Sequence, residues 1–206
     1  MLRIFLCGYV FLKSVCRCCK LFFIVGKITT FVAMITQPQI FLRPVQQNDA
    51  EAIYHHLKNP NITKMLLRIP TPFTMDDAYD FLNRVEAETQ KETDWVWAIV
   101  SRETNELLGL CGAHIREGNR ELVELGYWIG QEYWGKGIAT EAIRQQLALM
   151  KTQLHFTKVF ATVFEGNNAS KGVLLKNGFE YMPSKNKWLD KGNEKIYALC
   201  FEKMLT

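Results

Sequence analysis

The first 33 residues contain no aspartate or glutamate. They carry Arg3, Lys13, Arg17, Lys20 and Lys27, five of the chain's 25 basic residues, which leaves 20 basic residues against all 21 acidic ones in the remainder. The formal charge of +4 therefore belongs to the N-terminal stretch. The body is nearly neutral, so charge gives no case for nucleic-acid binding. Cysteine is equally scarce after residue 19. Cys7, Cys16, Cys18 and Cys19 lie up to that point, and only Cys111 and Cys200 follow. Two isolated thiols in apolar, strand-like runs argue against a disulfide scaffold and suit a reducing cytoplasm, the expected compartment, where a buried thiol acts as a small hydrophobe. No second ligand pair accompanies Cys16-x-Cys18-Cys19 at finger-like spacing, so no metal is expected. A spanning helix needs roughly 20 largely apolar residues, and Lys13, Arg17, Lys20 and Lys27 interrupt every candidate run. Ile4–Leu12 has the length of a signal-peptide core, yet Lys13 follows it and no small-x-small cleavage site appears. Residues 1–33 are read as an apolar, basic extension, better explained as sequence upstream of a natural start at Met34 than as a membrane-surface segment. Repeats and low-complexity segments are also missing.

What remains is ordinary globular material. The 206 residues are 48% hydrophobic and 22% charged, enough for one domain with a real core, here residues 34–206. Ile40–Arg43 reads as a short strand ending at Pro44, since the residue before a proline favours extended geometry. Asn48 or Asp49 can cap a helix through Ala52, Ile53 and Leu57 that Asn59-Pro60 stops. Thr74 caps a second helix with Ala78, Phe81, Leu82 and Val85 on one face, and Thr74-x-x-Asp77 has the form of a capping box. After Asp94 the period becomes extended. Trp95–Ser101, Leu107–Ile115 and Leu122–Ile129 read as an antiparallel meander with polar turns. A helix through Ala139, Ile143, Leu147 and Met150 follows, then a strand at Lys158–Phe164, a helix at Asn168–Asn177 closed by Gly178, and a last strand at Lys195–Met204. The order is that of an α+β domain, a mixed, mostly antiparallel sheet of about seven strands flanked by about four helices.

The most informative segment is ELGYWIGQEYWGKGIATEAI, Glu124 to Ile143. An apolar strand runs into Gly130, then Gly135-Lys136-Gly137, then directly into an amphipathic helix. Two glycines one residue apart let the backbone approach a ligand, and the first-turn N–H groups of the helix then face an anion. Lys136 adds positive charge, so phosphate or pyrophosphate binding is implied. No G-x-x-x-x-G-K-[ST] is present, and Thr140 stands where a dinucleotide fingerprint would need its third glycine. A tight turn without a ligand is the plain alternative.

YWGKGIATEA, followed by NNASKGVLLKNGF about thirty residues later, resembles the GNAT acetyltransferase superfamily, and within it the RimJ/RimL-like branch of protein and small-amine N-acetyltransferases. The resemblance covers residues 38–206. It implies that the loop Trp134, Gly135, Lys136, Gly137, Ile138, Ala139 and Thr140 holds the pyrophosphate of acetyl-CoA, the co-substrate, by backbone N–H groups. The strand end at Trp128 and Ile129 would splay from its neighbour and pair with the pantetheine arm. Asn167 and Ser170 would sit beside the cofactor sulfur. Two positions depart from the pattern: Glu132 stands where Gln or Arg is common, and Leu174 where many relatives carry the tyrosine that protonates the departing thiolate. Ser170, one turn earlier on the same face, becomes the candidate acid.

Acetyl transfer needs a neutral amine, so a base is expected. Glu124 is the first choice, on the strand face shared with Gly126 and Trp128, opposite Leu125, Tyr127 and Ile129. His114 and Glu121 follow, and Tyr127 lines the acetyl pocket or belongs to the core. The acceptor side should lie within residues 48–90, with His55, His56 and the Leu66–Phe73 loop shaping it and Trp95, Trp97, Trp188 and Tyr197 as a floor. The basic stretch PSKNKWLDKGNEK between the last two strands is a solvated hairpin or a contact for an acidic partner. The expected activity is acetyl-CoA-dependent transfer to a primary amine, a protein N-terminus such as that of a ribosomal protein or a small amine or amino acid. Transfer of a different acyl group is a rival in the same fold. A catalytically idle CoA-binding or interaction module is the alternative, and a monomer or homodimer is expected.

Overall fold

The computed structural model describes residues 39–116 and 118–205. The readings made for residues 1–33, including Cys7, Cys16, Cys18 and Cys19, lie outside them. Eight strands form one sheet: β1 (Ile40–Pro44), β2 (Asp94–Ser101), β3 (Leu107–Arg116), β4 (Asn119–Ile129), β5 (Lys158–Phe164), β6 (Glu180–Tyr181), β7 (Lys187–Lys191) and β8 (Glu194–Met204). Their order is β1-β2-β3-β4-β5-β8-β6, with β7 also paired to β8. Every pairing is antiparallel except β4 with β5. Five α-helices accompany them: α1 (Ala50–Leu57), α2 (Pro60–Thr63), α3 (Met75–Gln90), α4 (Ile138–Thr152) and α5 (Asn168–Lys176). The α+β class and the mostly antiparallel sheet are as expected. The additions are small and local. Asn59-Pro60 ends α1 and also starts α2, because the Asn59 side chain accepts from the Asn61 N–H at 2.9 Å while proline takes the first helical position, where no donor is needed. The basic stretch after α5 holds a 3₁₀ turn and β7 in place of a bare loop.

The helices fall on opposite faces of the sheet because strand alternation makes both faces apolar. Val96, Ala98, Val100, Leu107 and Leu110 pack with Ile53, Leu57, Ile62, Ala78 and Leu82 of α1–α3. Ile99, Cys111, Ala113, Val123, Leu125, Val159 and Phe201 pack with Ile143, Leu147 and Met150 of α4 and Leu174 of α5. The cap of α3 is the one its sequence announces: Thr74 accepts from the Asp77 N–H at 3.2 Å, and the Asp77 carboxylate accepts from the Thr74 N–H at 2.7 Å. Gly178, at φ +75°, ends α5, with Phe179 N–H donating back to the Leu174 carbonyl at 3.1 Å. Among the described residues no helix is long and apolar enough to cross a membrane.

Gln146 on α4 is wholly buried, and neither amide atom has a hydrogen-bond partner among the described residues. An unpaired buried amide costs about 1–3 kcal/mol, and an apolar side chain of the same shape removes that cost. Gln146→Leu should therefore raise the thermal midpoint in calorimetry, whereas a loss of stability would show that the amide is satisfied in solution.

Candidate active site

β4 and β5 run parallel but share a single register pair, Glu124 with Phe160. Beyond it Leu125–Ile129 and Ala161–Phe164 have no partner in each other, so the two strands open like a V. The opening is part of a cleft of about 840 Å³ that reaches both faces of the sheet.

On the α4–α5 face the cleft ends at the glycine loop. Gly135 (φ +74°) and Gly137 (φ +77°) both take the left-handed conformation, and Gly137 is the N-cap of α4. No atom lies within 4 Å of where a Cβ would stand on either. The main-chain N–H groups from Gly135 to Thr140 have no acceptor among the described residues. Donors left free at a helix start with open space before them fit a phosphate group. Lys136 rests its ammonium over the Tyr133 ring, 5.6 Å from the centroid. Trp134 folds back on the strand: its indole N–H donates to the Ile129 carbonyl at 2.8 Å. The Ile129 carbonyl therefore already accepts one hydrogen bond from within the chain.

Asn167 caps α5, its side chain accepting from the Ser170 N–H at 3.1 Å. The Ser170 hydroxyl lies 2.9 Å from the Tyr127 hydroxyl. Burial pushes the Tyr127 phenol up to about 12, against a smaller downward pull from Ser170. Tyr127 therefore stays protonated, and its hydroxyl lies between the Ser170 hydroxyl and the Ser170 carbonyl, which accepts from it at 3.4 Å. Leu174 is fully buried behind this pair. Asn177 Nδ2 donates to the Thr140 carbonyl at 3.2 Å and so ties the end of α5 to the start of α4, joining the two sequence motifs.

On the α1–α3 face Glu124 is not a free carboxylate. Its Oε2 accepts from Arg116 Nε at 2.6 Å and its Oε1 from the Thr162 hydroxyl at 2.8 Å. Burial would raise this carboxyl, but the charge of Arg116 and the two hydrogen bonds outweigh it and hold it below the ordinary value. Both oxygens of Glu124, the residue expected as base, are thus engaged by partners on β3 and β5. Glu121 is exposed and does not line the cleft. His114 does line it. Asp94, His114 and Glu124 stand side by side across β2, β3 and β4. His114 Nδ1 is 2.8 Å from Asp94 Oδ1, and its Nε2 would be 2.7 Å from a Cβ on Gly112. Gly112 and Gly126 are register partners, and the absence of side chains there lets the His114 ring lie across them toward the V. Asp94, Arg116 and Arg68, another cleft residue, carry no sequence signal of their own. A histidine partner across a sheet follows from register, which the turns determine.

Several expected acceptor-side residues lie elsewhere. His55 and His56 line a separate pocket of about 460 Å³ with Glu132. His56 is buried under Gly130, between the Leu107 carbonyl (3.1 Å) and Glu132 (3.4 Å). Trp95 stacks on Phe156 in the α4–α5 core, Trp97 joins that core, and Trp188 stacks on Tyr197 at the surface. Leu66–Ile69 do line the cleft, as anticipated for their loop.

The family model for the acetyltransferase (GNAT) domain matches residues 39–180. The chain belongs to the GNAT acetyltransferase family. It is 30% identical over 142 residues to an uncharacterized N-acetyltransferase, YoaA, of Bacillus subtilis, covering 69% of this chain and 80% of that one. The fold is shared with the ribosomal-protein-S5-alanine acetyltransferase of Vibrio fischeri (TM-score 0.70, 17% identity, 82% of this chain and 94% of that one). It is also shared with the spermidine N-acetyltransferase of Vibrio cholerae, solved with CoA and spermine (TM-score 0.69, 18% identity, 81% and 96%). Both likenesses are of fold.

Glu88, near the end of α3, is pushed up to about 7 from 4.5 by hydrogen bonding to Asp94, burial and the Asp94 charge. A carboxyl raised in the folded state contributes stability that is complete below its unfolded value and lost as pH rises through the folded one. Wild-type stability should therefore fall relative to Glu88→Gln between pH 4.5 and about 7. Thermal denaturation of both across that range checks it, and parallel profiles would separate Glu88 from Asp94.

Proposed function

We propose that the domain is an acetyl-CoA-dependent N-acetyltransferase acting on a primary amine by direct attack within a ternary complex. The observation that carries this is the continuity of the V with the glycine turn: an open strand edge leads to six main-chain donors without acceptors at a helix start. Gly135–Thr140 would receive the pyrophosphate of acetyl-CoA, Trp128 and Ile129 would flank its arm, and Asn167 would hold Ser170 at the thioester end. Lys136 adds charge at the loop.

In the transfer the amine nitrogen bonds to the thioester carbonyl carbon, the C–S bond breaks, the nitrogen gives up a proton and the thiolate gains one. His114 is the better base. Asp94 fixes its Nδ1 proton, which leaves Nε2 as an acceptor over the Gly112–Gly126 strip. Burial would raise Asp94, but hydrogen bonds from His114 and Glu88 keep it lowered and so able to support a positive imidazole. Ser170 is the group that meets the departing thiolate, and Tyr127 is its positioning residue, because the buried phenol contacts both the hydroxyl and the carbonyl of Ser170. Protein N-termini, as in the ribosomal-protein acetyltransferases, and small amines are the two acceptor classes.

Acetyl-CoA binding should be measurable by calorimetry on the full chain and lost in Gly137→Glu, which puts a carboxylate at the loop. Absence of binding to folded wild type would end this reading. His114→Asn should lower turnover about 10²-fold at neutral pH and less at alkaline pH, where more amine is already neutral. An equal loss at both would remove His114 as base. Ser170→Ala and Tyr127→Phe should lower kcat with the acetyl-CoA dissociation constant unchanged, and a parallel loss of affinity would restrict the pair to cofactor positioning.

A further inference from the structure

The acceptor end of the cleft is bounded by the segment Asn61–Ile69 on one side and by His114, Arg116 and Glu124 of the sheet on the other. Its charges are unbalanced. Glu124 is the one carboxylate among the described residues lining the cleft, and Arg116 neutralises it in a two-point contact. Two further cations face the same space. The Lys64 ammonium donates to a neutral group, Asn61 Oδ1, at 3.0 Å. Arg68 has no carboxylate within ion-pair distance among the described residues, although its charge is felt at Glu124.

This wall is held in place. Lys191 on β7 donates to the carbonyls of Thr63 and Lys64, both at 2.8 Å, where α2 ends. Its ammonium also lies over the Phe164 ring, 5.5 Å from the centroid. The main chain at the start of this segment is thereby fastened to the β7–β8 hairpin, and Lys64 and Arg68 line the cleft from it. A guanidinium so placed matches a carboxylate in two-point geometry. A polycation would meet like charge, and the one carboxylate among the described lining residues, Glu124, is already paired with Arg116.

Resting on the transfer reading above, we infer that the acceptor is an amine carrying its own carboxylate within reach of Arg68. An amino acid would supply its α-carboxylate, and a peptide N-terminus an acidic side chain nearby. A polyamine is the acceptor this surface disfavours. The two positive charges also favour the neutral form of the incoming amine, which is the form that attacks.

The full chain with acetyl-CoA would be assayed for CoA release with alanine against alaninamide, the C-terminally amidated peptides Ala-Asp-Ala and Ala-Asn-Ala, and spermidine. Binding of each acceptor to the CoA-loaded protein would be measured by calorimetry alongside. In one pair or the other the acidic member should exceed its amide at least tenfold in kcat/KM, and spermidine should be the poorest. The pair that shows it identifies the source of the carboxylate. Arg68→Glu should erase or invert that ratio, and raised salt should compress it. Equal use of acid and amide, preference for spermidine, or a ratio that survives Arg68→Glu overturns the inference while leaving the transferase reading intact. Arg68-dependent binding of the acidic acceptor without acetylation does the reverse. No binding of any acidic acceptor overturns the inference as well.

Discussion

Glu124 fastens the place where the sheet changes direction. It lies at the only register pair between β4 and β5, accepts from Arg116 on β3 and accepts from Thr162 on β5. Three strands are thereby locked at the apex of the V, and everything above the apex is free to open. A parallel seam of one pair is weak in main-chain terms, so a charged, doubly bonded side chain across it carries much of the burden of keeping the strands together. The opening, the cleft and the access from both faces all follow from that lock. A residue suited on paper to proton transfer is here used to hold strands.

The two sides of the V are built from different kinds of group. Toward α4 and α5 it offers main-chain donors at Gly135–Thr140 and a hydroxyl pair, Tyr127 with Ser170. Toward α1–α3 it offers side-chain charge: Asp94 with His114, Arg116, Lys64 and Arg68. Main-chain donors suit a part of the ligand that never varies, since backbone geometry is indifferent to the identity of most side chains. Side-chain charge suits a ligand part that distinguishes one relative from another. The Glu88–Asp94–His114 chain runs from α3 into this second side and couples helix to imidazole.

Much of this was legible in the residues. The Thr74-x-x-Asp77 box, the polar turns of the meander after Asp94 and the Gly135/Gly137 turn each rest on neighbours within about one turn, where sequence spacing and spatial contact coincide. The partners of His114 and Glu124 were not legible. Asp94 is 20 residues from His114 and Arg116 is eight from Glu124, and their meeting depends on register across β2, β3 and β4. The inward turn of the Trp134 indole was hidden for another reason. Its partner is a carbonyl, and every residue has one. The placement of Trp95 and Trp97 in the core, away from the acceptor, is what strand alternation allows on either face and the sequence alone does not choose.

The fastening of Lys191 to the end of α2 links segments 127 residues apart. It joins an early helical turn to the closing hairpin across the mouth of the cleft, so neither can be redesigned alone. A lineage that altered the length of the Lys64–Pro72 loop would have to change the β7–β8 hairpin with it, or give up the bridge. The glycine loop at 135–137 takes no part in that coupling. Diversification of what enters from the α1–α3 side would therefore proceed as paired changes at two distant points in the chain, while the segment between them, from β4 through α5, descends almost untouched.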